Sequence, residues 1–162
     1  MTIQVGDRLP KSSFRTMGAD GKPAEKTTDD VFKGRKVVLF AVPGAFTPTC
    51  HRNHMPGYVA KADEIKAKGI DAIVVTAVND VFVMDAWTKA SGCDGKIEFI
   101  ADGNGDFAKA IGLSLDASGN GLGTRSKRYS MIVDDGVVRS LNIEEAPGKA
   151  EASGADNLLK SL

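Results

Sequence analysis

Lys36–Gly57, KVVLFAVPGAFTPTCHRNHMPG, contains the passage from strand to helix on which the fold turns. Its first seven residues are almost continuously apolar, as a strand buried on both faces is. Two prolines, a glycine and two threonines then crowd the seven positions before Cys50, a costly lead-in for an ordinary helix and a sign of a rigid, shaped loop. Thr47, Pro48, Thr49 and Cys50 read as N-cap, N1, N2 and N3: a hydroxyl cap, a proline whose missing N–H is no loss there, and then the thiol. Over residues 50–68, Met55, Tyr58, Val59, Ala62 and Ile65 recur at spacings of three and four. Gly69 supplies the stop.

A sulfur in the first turn of a helix meets unpaired backbone N–H groups and the positive end of the helix dipole. Both favour an anion, so thiols in such places ionise below their ordinary value of about 8.5. A thiolate is a nucleophile at neutral pH without a separate base. The competing readings are a metal ligand, a Cys-His hydrolase and a small buried core residue. Cys50 and His54, at i and i+4, share a helix face, but a closed zinc site takes four ligands and the chain adds only His51 and the distant Cys93, so no metal is expected. A hydrolase dyad needs an imidazole on a separate element, oriented by a third group. Both histidines lie on the helix of the cysteine itself, and they are read as bystanders with local hydrogen bonds.

Beyond this stretch, IDAIVVTAV from Ile70, KIEFIA from Lys96, YSMIV from Tyr129 and VVRSLNI from Val137 read as further strands. A helix capped by Asn79 or Asp80 carries Phe82, Val83, Ala86 and Trp87 inward until SGCDG breaks it. Short helices fit GDFAKAIG and the terminal GADNLLKSL, and Asp135-Gly136 between two β-rich runs is a hairpin turn. The pattern is α/β, with a central mixed sheet covered by helices on both faces. The 162 residues suit one domain spanning 1–162.

Lysine plus arginine and aspartate plus glutamate number 21 each, so there is no net field to gather nucleic acid or an anionic membrane. No signal-peptide core and no apolar run of membrane-spanning length is present, and a cytoplasmic location is expected. Two cysteines make no disulfide scaffold. SGNGLGTRS from Ser118 precedes a strand, whereas a dinucleotide loop follows one and opens a helix. The acidic loops from Asp102 and Asp116 lack the glutamate of a calcium loop and are read as solvated turns, so no cofactor is expected.

The run Pro43-Gly44-Ala45-Phe46-Thr47-Pro48-Thr49-Cys50 resembles the peroxidatic loop of peroxiredoxins: Pro, three residues, Thr or Ser, two residues, Cys. With HMPGYV, AVNDVFVMDAW, FIADGNGDFAKAIGL, KRYSMIVDDGVV and LNIEE in that order, the chain from about Gly34 onward is similar to the type II, or peroxiredoxin-5-like, group. The resemblance implies a thioredoxin-like fold and reduction of hydrogen peroxide or alkyl hydroperoxides by a thiolate, without metal or flavin. It implies that Cys50 is the peroxidatic cysteine, that Thr47 hydrogen-bonds peroxide and thiolate, that Pro43 shields the sulfur, and that Arg128, just before YSM, stabilises the developing charge. Arg125 is a weaker supporting candidate. Strand alternation sends the Arg128 side chain to the face opposite Tyr129.

Some type II members carry a resolving cysteine near the C-terminus, where this chain reads KAEASGADN, and others on the strand before VND, where it reads IVVTAV. Neither place holds sulfur, and Cys93 lies elsewhere, in ASGCDGK. The expected partners are therefore a hydroperoxide and an external thiol reductant, glutathione with glutaredoxin or else thioredoxin. A homodimer is expected from the family. The alternative is a thioredoxin-fold redox sensor or chaperone-like binding module that uses Cys50 to sense peroxide.

Overall fold

The computed structural model describes every residue except Asp94. A seven-stranded mixed sheet carries the fold. Its strands are β1 (Ser13–Met17), β2 (Pro23–Thr27), β3 (Lys36–Ala41), β4 (Ala72–Ala77), β5 (Glu98–Ala101), β8 (Tyr129–Asp134) and β9 (Val137–Ile143), in the order β2-β1-β5-β4-β3-β8-β9. The central β3, β4 and β5 are parallel, and the flanking pairs are antiparallel. A separate two-stranded ribbon pairs β6 (Ser114–Asp116) with β7 (Thr124–Ser126), and the Gly-rich run from Ser118 is its connecting loop.

Alternation along β3 builds two cores. Val38 and Phe40 join Tyr58, Met84, Trp87 and Leu158 on one face, under α2 (Met55–Ala67), α3 (Val81–Ala90) and α5 (Ala155–Leu159). Val37, Leu39 and Ala41 join Phe32 and Phe107 on the other, under α1 (Thr28–Phe32) and α4 (Asp106–Ala110). Helices thus cover both faces, as the strand pattern implies. Among the described residues no helix is long and apolar enough to cross a membrane.

The expected strands at 36, 70, 96, 129 and 137 all form. The β8–β9 hairpin turns at Asp135 and Gly136, with φ of 49° and 81°, the positive values such a turn requires. Asp80 caps α3, its carboxylate accepting the N–H of Val83 at 2.9 Å. The inward stripe of α3 differs from the sequence reading: Val81, Met84, Trp87 and Thr88 are buried, while Phe82 is 64% exposed and Ala86 faces solvent. Both sets of positions are helical stripes, and the direction of the sheet selects between them. Asp94, part of the expected breaker after α3, lies outside the described residues.

Candidate active site

The loop after β3 is fastened from both sides. The Ala45 N–H donates to Asn79 Oδ1 at 2.9 Å, and the Thr47 N–H to the Gly44 carbonyl at 3.3 Å. Phe46 takes φ of 63°, a left-handed conformation that a bulky side chain rarely adopts. A Cβ on Gly44 would stand 3.0 Å from Thr47 Cγ2 and 3.2 Å from Arg125 Nη1, so this position favours glycine by close approach. Arg125 lies beside the loop at Gly44, held there by its Nη1 on the Val78 carbonyl and its Nε on that of Leu122. Pro43 is buried and Thr47 half-buried.

The helix starts at Pro48, as expected, with different cap chemistry. The Thr47 hydroxyl turns back and donates to the Gly44 carbonyl at 2.6 Å rather than accepting an N–H of the first turn. Cys50–His54 is a single π-helical turn, closed by the Met55 N–H on the Cys50 carbonyl. Pro56 gives a reason: it has no N–H for the carbonyl four residues back and its ring crowds that carbonyl, so the regular ladder is interrupted here. Cys50 is fully buried at the start of this turn.

Arg128 is 2% exposed, at the lead-in to β8. Its side chain reaches the Cys50 face while Tyr129 joins the opposite core, as alternation requires. The guanidinium forks onto three acceptors: Nη2 on Cys50 Sγ at 2.9 Å, Nη1 on His54 Nδ1 at 2.9 Å, and Nε on the Pro147 carbonyl at 3.1 Å. A permanent cation against a buried sulfur stabilises an anion there.

The hydrogen bonds of both histidines are long-range rather than the local ones that the sequence reading expected. His54 is 1% exposed, and its Nε2 lies 3.0 Å from the Ser153 carbonyl. A carbonyl only accepts and a guanidinium only donates, so the ring is the neutral tautomer with its proton on Nε2 and its lone pair, on Nδ1, facing Arg128. Burial, and then the Arg128 charge, lower the His54 pKa from 6.5 to about 4, which agrees with that assignment. His51 Nδ1 accepts the Trp87 indole N–H at 3.1 Å, tying the π-turn to α3. The Nδ1 atoms of both rings are thus engaged by donors, and His54 cannot act through Nδ1 as a base toward Cys50.

A segment that the sequence reading had given no role closes the site. The Ser153 carbonyl accepts from His54 and from the Tyr58 hydroxyl, at 3.0 and 2.7 Å. The Glu144 carboxylate receives both the N–H and the hydroxyl of Ser153, at 2.5 and 2.6 Å. Burial alone would raise the Glu144 pKa, but the hydrogen bonds from Ser153 together with those from the Ala152 and Glu151 backbone lower it. The Thr49 hydroxyl donates to the Gly148 carbonyl at 3.2 Å. Residues 144–154 therefore form a strap whose carbonyls hold side chains from the helix and from Arg128.

Cys93 is a core residue in the turn after α3, 2% exposed, with its sulfur 3.7 Å from Met55 Sδ. Among the described residues no three of His, Cys, Asp and Glu converge to hold a metal ion. Asp102, at the head of one acidic loop, is buried and accepts the N–H groups of Phe107 and Ala108 at 3.1 and 2.9 Å.

Comparison with known proteins agrees with this architecture. Residues 4–159 match the Redoxin family. The chloroplastic peroxiredoxin-2E of Arabidopsis thaliana is 46% identical over 164 residues, which cover 99% of this chain and 70% of the relative. The peroxiredoxin-2C of Oryza sativa subsp. japonica is 44% identical over 160 residues, 99% and 98% of the two chains. The crystal structure of reduced Prx3 from Vibrio vulnificus in complex with hydrogen peroxide is 46% identical and matches with a TM-score of 0.93 over 99% of both chains. The chain belongs to the peroxiredoxins, in the type II group, and is a thiol-dependent peroxidase with a thioredoxin-like fold.

Proposed function

We propose that Cys50 is the peroxidatic cysteine and that an external thiol, glutathione with glutaredoxin, returns it to the reduced state. The observation that carries this reading is the 2.9 Å contact of Arg128 Nη2 with Cys50 Sγ in a site buried from water. The Cys50 thiolate attacks one oxygen of a hydroperoxide ROOH. A sulfur–oxygen bond forms, the oxygen–oxygen bond breaks, and the leaving alkoxide takes a proton from solvent to become ROH. Sulfur is oxidised to sulfenic acid and the peroxide is reduced. Charge moves from sulfur to the leaving oxygen, so donors already in place hold it at each stage without reorganising.

Arg128 Nη2 is one such donor, and the Thr47 hydroxyl, which donates its own proton to the Gly44 carbonyl, offers its oxygen to the O–H of the peroxide. Pro43 excludes water from the sulfur. Hydrogen peroxide and alkyl hydroperoxides are the substrates. A first glutathione condenses with the sulfenic acid to a mixed disulfide and water. A second, with glutaredoxin, releases the thiol and oxidised glutathione. What supports an external reductant is the absence of cysteine from both positions at which type II relatives carry a resolver.

Residues 1–162 act as one domain, in the cytoplasm, as a homodimer. Phe46 and Phe82, 48% and 64% exposed, offer apolar surface for such an association. The test is stopped-flow peroxide consumption by the wild type, Cys50→Ser and Cys93→Ser, each with glutathione plus glutaredoxin or with thioredoxin. Loss of turnover in Cys50→Ser alone, with glutaredoxin preferred, is expected. Activity in Cys50→Ser would overturn the mechanism, and a rapid Cys50–Cys93 disulfide would overturn the external reductant. Sedimentation showing only monomer at micromolar concentration would overturn the dimer.

A further inference from the structure

We propose that His54 is a positioning residue of this site: a neutral imidazole whose Nδ1 aims the Arg128 guanidinium at the Cys50 sulfur, itself held by Ser153 and Glu144. The inference rests on the roles proposed above for Cys50 and Arg128 and adds what sets the arginine's direction. A guanidinium is planar, so fixing two of its N–H directions fixes the third. Here Nε is fixed by the Pro147 carbonyl and Nη1 by His54, which leaves Nη2 pointing at sulfur.

The chemical identity of the partner matters as much as its place. The three acceptors around Arg128 are a sulfur, an imidazole nitrogen and a carbonyl. A carboxylate in the His54 position would accept the same hydrogen bond but would offset the cation that Cys50 needs. A neutral imidazole directs the guanidinium and leaves its charge to the sulfur. Of the groups around the ring, the Arg128 cation disfavours its protonation, the Ser153 carbonyl and the Glu144 charge favour it more weakly, and the hydrogen bonds on its two nitrogens hold one tautomer. Arg128 donates to Nδ1, Tyr58 shares the Ser153 carbonyl with Nε2, and Glu144 lies one residue further out, on Ser153. Burial of His54, the largest influence, acts with Arg128 and keeps the ring neutral.

The anchoring runs through the strap rather than through the helix. Glu144 sits at the end of β9, and its carboxylate grips both donors of Ser153. That grip sets the carbonyl of Ser153, the carbonyl sets the imidazole, and the imidazole sets the guanidinium. Partners that orient a reacting group from outside it are typically worth about 10- to 100-fold in activity.

The experiment is a double-mutant cycle read by the rate at which peroxide oxidises Cys50. His54→Leu should slow that step about 10- to 100-fold. His54→Leu combined with Arg128→Gln should be no slower than Arg128→Gln alone, because the histidine acts only through the arginine. His54→Asn, whose side-chain oxygen lies near the position of Nδ1, should recover most of the rate. A wild-type rate in His54→Leu, or a cost that adds in full to that of Arg128→Gln, would overturn the proposal. Should His54→Leu fail to fold, the wild type decides. Nitrogen NMR of His54 at neutral pH should show the proton on Nε2, and an imidazolium or a proton on Nδ1 would overturn it. A wild-type rate in Arg128→Gln would remove the underlying reading, and the proposal with it. A slow Arg128→Gln beside an unaffected His54→Leu would remove the proposal alone.

Discussion

Cys50 and Cys93 are buried to the same degree, 0% and 2% exposed, and belong to the same apolar cluster, yet their sulfurs have different neighbours. Cys50 faces the Arg128 guanidinium at 2.9 Å, and Cys93 faces the Met55 thioether at 3.7 Å. Exposure therefore does not tell the two thiols apart; in the function proposed above, the Arg128 charge against Cys50 Sγ is what suits that sulfur to peroxide chemistry. The same contrast holds between their settings. Cys50 begins a π-turn after a strained loop, whereas Cys93 packs in the turn that follows α3.

The comparison can be broken in order of effect. Cys50→Ser should reduce peroxide turnover to background, measured with an external thiol in excess. Arg128→Gln removes the charge placed against Cys50 and should slow oxidation of Cys50 about 10²- to 10³-fold, the usual cost of losing a pre-placed donor to a developing anion. That rate is read by stopped-flow.

Acid should reach the same arginine through His54. Its folded pKa of about 4 lies below its unfolded value of 6.5, so the unfolded state binds more protons between these limits. The contribution of His54 to stability is complete above about pH 6.5 and is lost as pH falls toward 4 and below. Denaturant titrations of the wild type and His54→Asn should therefore converge over this window, and a constant difference from pH 7 to 4 would contradict the assignment. Cys93→Ser should have the smallest effect on chemistry, with the oxidation rate of Cys50 unchanged. Its cost is to stability, about 1–3 kcal/mol for a buried hydroxyl in place of a thiol.

Different parts of this molecule were legible in the sequence for different reasons. The central strands are apolar runs between turn residues, and the Asp135-Gly136 hairpin carries its own turn chemistry, so both read directly. The β1–β2 hairpin did not, because SFRTM and PAEKT are largely exposed at a sheet edge and show no alternation strong enough to separate them from loop. The three-residue strands β6 and β7 are too short to show a period.

At the site, the loop from Pro43 to Cys50 is one contiguous signal. Arg128 is not: alone it is one basic residue in RSKR, and only resemblance to a family singled it out. His54 stayed hidden because what buries it is the carbonyl of a residue 99 positions later. Its spacing from Cys50 suggested a metal pair or a dyad, and the arginine between them answers both. Had the strap been foreseen, Glu144 and Ser153 offered a weak signal: a carboxylate and a hydroxyl in a segment otherwise rich in small residues.

The most direct measurement of the central claim is site-resolved mass spectrometry of the reduced protein after one equivalent of hydrogen peroxide, with a sulfenic-acid trap present. The expected result is the trapped adduct on Cys50 alone, formed at the stopped-flow rate of peroxide loss and slowed in parallel with it in Arg128→Gln. An adduct on Cys93, or peroxide loss at an unchanged rate in Cys50→Ser, would contradict the account.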